Sequence, residues 1–214
     1  PNDHHQISQI LNTDIFNKYL DKYKSSRSMN KGENDPASSG ATTQVSIIDK
    51  NGNAASVTTT NGEGCGYLIP ELGVMLNNML GEEDLNPSGF HNFLHQQRLP
   101  TMISPTVIMD DHRPELVLGS GGSNRIRSAI LQVILNYFNK GMSLDEAVST
   151  SRIHLEGNIL HCEPDISSKI ENKLPDEIQI HNWDVQNLFF GGVNAVTPNE
   201  AVGDSRRGGT GIVY

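Results

Sequence analysis

The chain has 214 residues and a formal net charge of −9. That is length for one domain with a real core, and a charge that argues against nucleic acid or an anionic membrane surface as partner. No apolar run reaches the roughly 18 residues that span a bilayer, and the opening PNDHHQISQ has no signal-peptide apolar core. The two cysteines, Cys65 and Cys162, make neither a disulfide framework nor a metal-ligand spacing, although one disulfide between them stays open.

In chain order, residues 3 to 25 read as a helix, with Ile7, Ile10, Leu11, Ile15, Tyr19 and Leu20 near helical spacing. KSSRSMNKGENDPASSGA, Lys24 to Ala41, has almost nothing to bury and reads as a linker. Thr43 to Asp49 and Ala54 to Thr60 are rich in Val, Ile and Thr and flank Asn51-Gly52, so they predict a hairpin. With the turn at Asn51-Gly52, Thr43 faces Thr60 and Thr42 lies diagonal to it. Residues 104 to 109 and 115 to 119 predict a second hairpin through DDHRP. GSGGSN then reads as a glycine-rich turn into a helix carrying Ile126, Ile130, Val133, Ile134, Tyr137 and Phe138 on one face, with Gly141 as its stop. Ser143-Leu-Asp-Glu146 is a capping box for a further helix. Strand-like pieces follow near 152–155, 159–163, 176–180 and 192–196. Strands, two helices and more strands predict a mixed α/β or α+β domain, the early strands packing on the two helices.

The chemistry concentrates in four places. Thr42 sits where the linker becomes a strand. A threonine hydroxyl is a weak nucleophile unless a base lies beside it, and a threonine made N-terminal by a cut at Ala41–Thr42 supplies that base as its own α-amine. Thr60, across the hairpin, can orient the hydroxyl. The turn at Gly119–Asn124 offers unhindered amides at a helix start, suited to an oxyanion, and no Gly-Lys-Ser/Thr follows to make it a phosphate loop. Glu82-Glu83-Asp84 can hold an ammonium. His4, His5, His91, His95, His154 and His161 make no metal pattern. Each feature also has a plain structural reading: sheet threonines, a tight turn, a solvated acidic loop.

The ordered set Thr42-Thr-Gln-Val-Ser46, Asp49-Lys-Asn-Gly-Asn53, Leu76-Asn-Asn78, Ser104-Pro-Thr106 and Gly119-Ser-Gly-Gly-Ser-Asn-Arg-Ile126 resembles the small subunit of γ-glutamyltranspeptidases, over about residues 42 to 214. Residues 1–41 resemble the end of the large subunit. The resemblance implies an α+β fold, the αββα sandwich of N-terminal nucleophile (Ntn) hydrolases. It also implies self-cleavage before Thr42 and a Thr42 acyl-enzyme formed from glutathione or a similar γ-glutamyl donor, with water or an amino acid as acceptor. Thr60 then supports the nucleophile, and the oxyanion amides come from Gly122 and Ser123, or from Gly121 and Gly122 with a one-residue shift. Asn61, Glu82, Glu83, Thr101 and Gly121 become substrate-binding candidates. The expected partner is the large subunit of the same precursor, which brings an arginine for the donor carboxylate; no metal or organic cofactor is expected. The chain departs from the pattern in four ways. Gln44 stands where a histidine is common, Met79 where a glutamine is common, and Pro100-Thr101 where Ser-Ser is usual. The amine-binding acid is matched only by the Glu82–Asp84 run. These departures leave an acylase or a poly-γ-glutamate-processing enzyme open. The unbroken Ala41–Thr42 bond leaves open a non-catalytic binding protein.

Overall fold

The structure, a computed structural model, describes residues 42–214. The helix and linker expected over 3–41 lie outside the described residues. β1 (Thr42–Ile48) and β2 (Ala54–Thr60) form the expected antiparallel hairpin. Its register differs by one residue from the expectation: Thr42 faces Thr60, and Thr43 faces Thr59. The loop is the reason. Asp49 N–H bonds the Asn53 carbonyl and Gly52 N–H bonds the Asp49 carbonyl, both at 2.9 Å. Gly52 sits at φ +82°, so the turn is a three-residue loop ending in a left-handed glycine rather than a two-residue one. The Asp49 carboxylate braces it by accepting from the Asn51 and Asn53 amides at 2.8 Å.

Two short strands, β3 (Leu68–Ile69) and β4 (Val74–Met75), and two 3₁₀ turns, Met79–Gly81 and Glu83–Leu85, follow. β5 (Thr106–Asp110) and β6 (Arg113–Gly121) make the second hairpin. Together with β10 (Gly192–Val196) and β11 (Ala201–Val202) they build a four-stranded sheet in the order β11-β10-β6-β5. β6 absorbs most of the glycine-rich stretch: Gly119, Ser120 and Gly121 pair with Asn194, Val193 and Gly192. Only Gly122–Asn124 turn before helix α1 (Arg125–Ile134), which runs on as one wide π turn to Asn139. Helix α2 (Leu144–Ser149) starts on the expected capping box, with Ser143 and Glu146 each accepting from the other's backbone amide.

The period-two alternation of β6 explains the layers. Leu116 and Leu118 on one face join Ile126, Ala129, Ile130, Val133, Leu144, Ala147 and Val148 in the core under the helices. The other face turns toward the β1–β2 hairpin, where Gly119 lies under the Gln44 side chain and Gly121 under the Thr42 backbone. The early strands therefore do not pack on the helices, as expected from chain order; the β5-β6-β10-β11 sheet lies between them. The hairpin meets that sheet through polar groups. Ser46 donates to the Asn194 carbonyl, Ser56 to the Leu118 carbonyl, and the Asn194 amide to the Gln44 carbonyl, at 2.8–2.9 Å. Its apolar side chains point outward: Val45, Ile47 and Val57 are 47%, 51% and 56% exposed.

A three-stranded sheet, β7 (Ile153–Glu156), β8 (Ile159–Cys162) and β9 (Gln179–Asn182), follows α2, with short helix α3 (Ser167–Ile170) between β8 and β9. Cys65 and Cys162 are both free. A buried set of four charges ties these parts together. Arg206 forks onto Glu163 at 2.8 and 2.6 Å, and Arg152 holds Asp204 at 2.7 Å. Asp204 also accepts from the Val193 amide at 2.9 Å. Two cations and two anions cancel, which is the condition under which buried charge is tolerated.

Candidate active site

The described residues enclose a cavity of about 460 Å³ lined by Thr42, Thr60, Gly122, Ser123, Glu82, Glu83 and Thr101 among others. Sequence separations of up to 81 positions in this set are closed by the fold alone.

Thr42 opens β1 and Thr60 closes β2, so the register sets them opposite one another on the inward face. Thr42 Oγ1 donates to Thr60 Oγ1 at 2.9 Å, and Thr60 Oγ1 also accepts from the Gly62 amide at 3.0 Å. The Thr60 oxygen is thus fixed from two sides, and it fixes the Thr42 hydroxyl in turn. Under them, β6 carries glycine where any side chain would collide: a Cβ on Gly121 would come within 2.6 Å of the Thr42 carbonyl oxygen. Gly121 backs the Thr42 strand and does not line the cavity, because its place in the sheet turns it under the Thr42 main chain.

The turn beyond it does reach the cavity. Gly122 has φ +131° and Ser123 φ +52°, left-handed geometry that a non-glycine adopts at a cost. Their carbonyls cap the start of α1 by accepting from the Arg125 and Ile126 amides at 3.0 and 3.1 Å. Neither the Gly122 nor the Ser123 amide donates to a backbone carbonyl among the described residues. Two adjacent amides at a helix start, beside a hydroxyl, can stabilise a developing oxyanion.

The acidic wall lies on the Thr60 side. Asn78 N–H bonds the Asn61 carbonyl at 3.1 Å and Asn78 Oδ1 accepts from the Glu63 amide at 2.8 Å, which docks the Asn61–Glu63 loop on the 3₁₀ turns. The Glu82 carboxylate rests against Gly62. Burial raises the Glu82 pKa, and the charges of Glu63 and Asp84 raise it further. Asp84 is likewise raised, by burial first and by Glu156, with Arg125 and Arg127 opposing. Carboxylates crowded this way gain from a cation among them. Thr101 lies on the cavity wall, its hydroxyl accepting from the Ile103 amide at 3.1 Å. Asn61 does not line the cavity. Its carbonyl is spent on the docked loop, and its side-chain oxygen is buried without a hydrogen-bond partner among the described residues.

Arg125, Phe189 and Arg207 are among the cavity residues that the sequence left without a role. Arg125 opens α1 directly after the Gly122–Asn124 turn, Phe189 comes from the Leu188–Phe190 turn before β10, and Arg207 comes from the GDSRRGG stretch. The glycines around them were the available signal: Gly122, Gly191 and Gly192 mark a close approach that only the folded chain explains.

The Gamma-glutamyltranspeptidase family model matches residues 3–214. The chain belongs to the gamma-glutamyltranspeptidase family. It is 30% identical over 220 residues to the glutathione hydrolase proenzyme of Bacillus subtilis strain 168, covering 95% of this chain and 37% of that protein. It is 31% identical over 210 residues to the capsule biosynthesis protein CapD proenzyme of Bacillus anthracis, covering 94% of this chain and 39% of that protein. The crystal structure of the Bacillus anthracis transpeptidase enzyme CapD superposes with a TM-score of 0.63 at 29% identity, over 80% of this chain and 99% of that chain. The chain therefore spans less than two fifths of the length of these curated relatives, and the fold is that of the family's Ntn hydrolases.

Proposed function

We propose that this chain is the nucleophile-bearing part of a proenzyme that cleaves γ-glutamyl amides such as glutathione through a Thr42 acyl-enzyme, after a cut at Ala41–Thr42. The observation that carries the reading is the Thr42 Oγ1–Thr60 Oγ1 bond of 2.9 Å in a cavity shared with the Gly122–Ser123 turn. Residues 1–41 are then the end of the large subunit and 42–214 the small subunit. Residues 42–214 make about four fifths of the sequence, the same share that aligns with almost the whole CapD chain. The outward Val45, Ile47 and Val57 face supports a partner surface on the hairpin, which the large subunit of the same precursor covers.

After the cut, the Thr42 α-amine takes the hydroxyl proton as Oγ1 attacks the γ-carbonyl carbon. The oxyanion accepts from the Gly122 and Ser123 amides. Collapse breaks the C–N bond, and the ammonium returns its proton to the leaving amine. Water or an amino-acid amine then attacks the ester. Glu82 and Glu83 hold the donor ammonium, with Asn61 supporting the loop beside them. Thr101 offers one hydroxyl to the donor carboxylate.

The test is the full-length precursor, incubated near neutral pH and weighed intact under denaturing conditions. The expected result is two fragments, one beginning at Thr42, together with turnover of γ-glutamyl-4-nitroanilide; Thr42→Ala abolishes both. A Thr42→Ala protein that still turns over this amide would refute the mechanism. A full-length protein that stays whole would favour a non-catalytic relative. The resemblance to the capsule biosynthesis proenzyme supports poly-γ-glutamate as a second donor class, which a comparison of γ-glutamyl, glutaryl and poly-γ-glutamate donors separates.

A further inference from the structure

The acidic wall is built on very little secondary structure. Met79–Gly81 and Glu83–Leu85 are single 3₁₀ turns, too short to hold themselves in place. Glu82 is the joint between them, with extended backbone at φ −85° and ψ 124°. Its carboxylate crosses to Gly62, where a Cβ would collide with it and with the Asn78 side chain. The Gly62 amide is the one that donates to Thr60 Oγ1 at 3.0 Å. The backbone at Glu82 therefore sets where its carboxylate stands relative to the Thr42–Thr60 pair. The charges of Glu63 and Asp84 press on that carboxylate, adding to the effect of burial on its pKa, so the turns carry a repulsion that acts to spread them.

Asn86 opposes that spreading. It is 6% exposed and lies behind the wall, outside the cavity lining. Its Nδ2 donates to the Leu80 carbonyl at 3.1 Å and to the Glu82 carbonyl at 2.6 Å. Its own backbone amide closes the second turn on the Glu83 carbonyl at 2.9 Å. One residue thus ties first turn, joint and second turn together. The position asks for an amide: two donors meet two carbonyls, and a carboxylate, or an amide turned the other way, would set oxygen against oxygen. The Asn86 Oδ1 is buried with no hydrogen-bond partner among the described residues, a cost that only the two donor bonds offset.

We propose that Asn86 is a positioning residue for donor recognition: by clamping Leu80 and Glu82 it holds the Glu82 carboxylate where a γ-glutamyl donor brings its α-ammonium. This rests on the acyl-transfer reading above. Asn86 touches no substrate atom and acts through Glu82. Its loss is therefore felt by the donor's ammonium and not by the rest of the donor, and it vanishes where Glu82 has already been neutralised.

The experiment uses the processed full-length enzyme and two donors that differ only in the α-ammonium, γ-glutamyl-4-nitroanilide and glutaryl-4-nitroanilide. The wild type is expected to favour the first in kcat/KM. Asn86→Leu, close in size and without donors, is expected to cut that preference about tenfold, through KM with kcat nearly kept, and Asn86→Ser, with one donor, about threefold. In a Glu82→Gln background Asn86→Leu is expected to change the preference no further, because the two residues act as a unit. An asparagine that merely supports the fold would lower both donors alike. That outcome, an unchanged preference, or additive losses in the double variant overturns the proposal, and Asn86→Ser decides it if Asn86→Leu does not fold. Calorimetric binding of L-glutamate and glutarate reads the same ammonium without turnover. If the wild type binds glutamate selectively and Asn86→Ser weakens that selectivity, the clamp holds even where the acyl-transfer reading fails. If the variant keeps the wild-type selectivity, or the wild type has none, the clamp is wrong even where catalysis by Thr42 is intact.

Discussion

Gly121→Ala is the sharpest perturbation of the seat of Thr42, the proposed nucleophile. A Cβ there would lie 2.6 Å from the Thr42 carbonyl oxygen and 3.4 Å from its Cβ. The obstacle is backbone in a paired strand, so no side chain can swing away. Ordinary contact starts near 3.4 Å, and β1 must therefore withdraw by about 0.8 Å at Thr42. Misplacement of a reacting group by ~1 Å costs on the order of a hundredfold in rate, while the overpacking itself costs ~1–3 kcal/mol. The expected outcome for the full-length protein is a folded chain with a lowered melting temperature, slower appearance of the fragment beginning at Thr42, and kcat reduced by roughly 30- to 100-fold. Gly52→Ala is the comparator. It lies at φ +82° in the exposed hairpin loop with nothing near its Cβ, so it strains the backbone without pressing on Thr42. A Gly121→Ala enzyme within threefold of wild type in kcat would refute the claim that the sheet contact positions the nucleophile.

Asp204→Asn leaves Arg152, 2% exposed, without its anion. Breaking such a pair costs ~3–5 kcal/mol, so the melting temperature should fall by about 10 °C or more; a fall under 2 °C in calorimetry would count against it. His154 is held neutral: burial, then the Arg125 charge, draws its pKa from 6.5 down to about 4. The unfolded chain binds a proton between those values and the native one does not. Stability is thus lost as pH falls from ~6.5 to ~4, by on the order of 2–3 kcal/mol, and denaturant titrations of His154→Gln should show a flatter slope in that window. Glu82→Gln should raise KM for a γ-glutamyl donor at least tenfold. Because Glu82 titrates above the usual carboxylate range, wild-type KM should rise with falling pH earlier than an ordinary carboxylate would make it, and the variant should lose that dependence.

What could be read from the sequence was local. The Ser143–Glu146 capping box, the Asn51-Gly52 hairpin and the apolar face of α1 each depend on residues within a few positions of one another. The register missed by one because Gly52 takes the left-handed position of a three-residue loop. GSG at 119–121 reads as a turn on composition, yet it is strand, since glycine there answers to a neighbour 75 or more positions away, Gln44 and Thr42. The four buried charges come from Arg152, Glu163, Asp204 and Arg206, and nothing local distinguishes a buried ion pair from a solvated one. Arg125 was read only as part of the glycine-rich motif, and Arg207 was given no role, for the same reason.

The hairpin polarity joins these points into one account of the fold. A strand pair that rested on its sheet through apolar contacts would present Val45, Ile47 and Val57 inward. Here the inward set is Thr42, Gln44 and Ser46 opposite Thr60, Thr58 and Ser56. Gln44 Nε2 donates to Ser46 and Ser56 at 2.9 Å and its Oε1 accepts from Thr58. Inward polarity places the two hydroxyls at the cavity end of the hairpin and fixes register by hydrogen bonds, which tolerate little displacement. It also leaves the apolar face outward, where only a further layer can bury it. The Thr42–Thr60 hydroxyl pair on the inner face and an unburied face on the outer one are therefore two results of one alternation, set by a single residue of register.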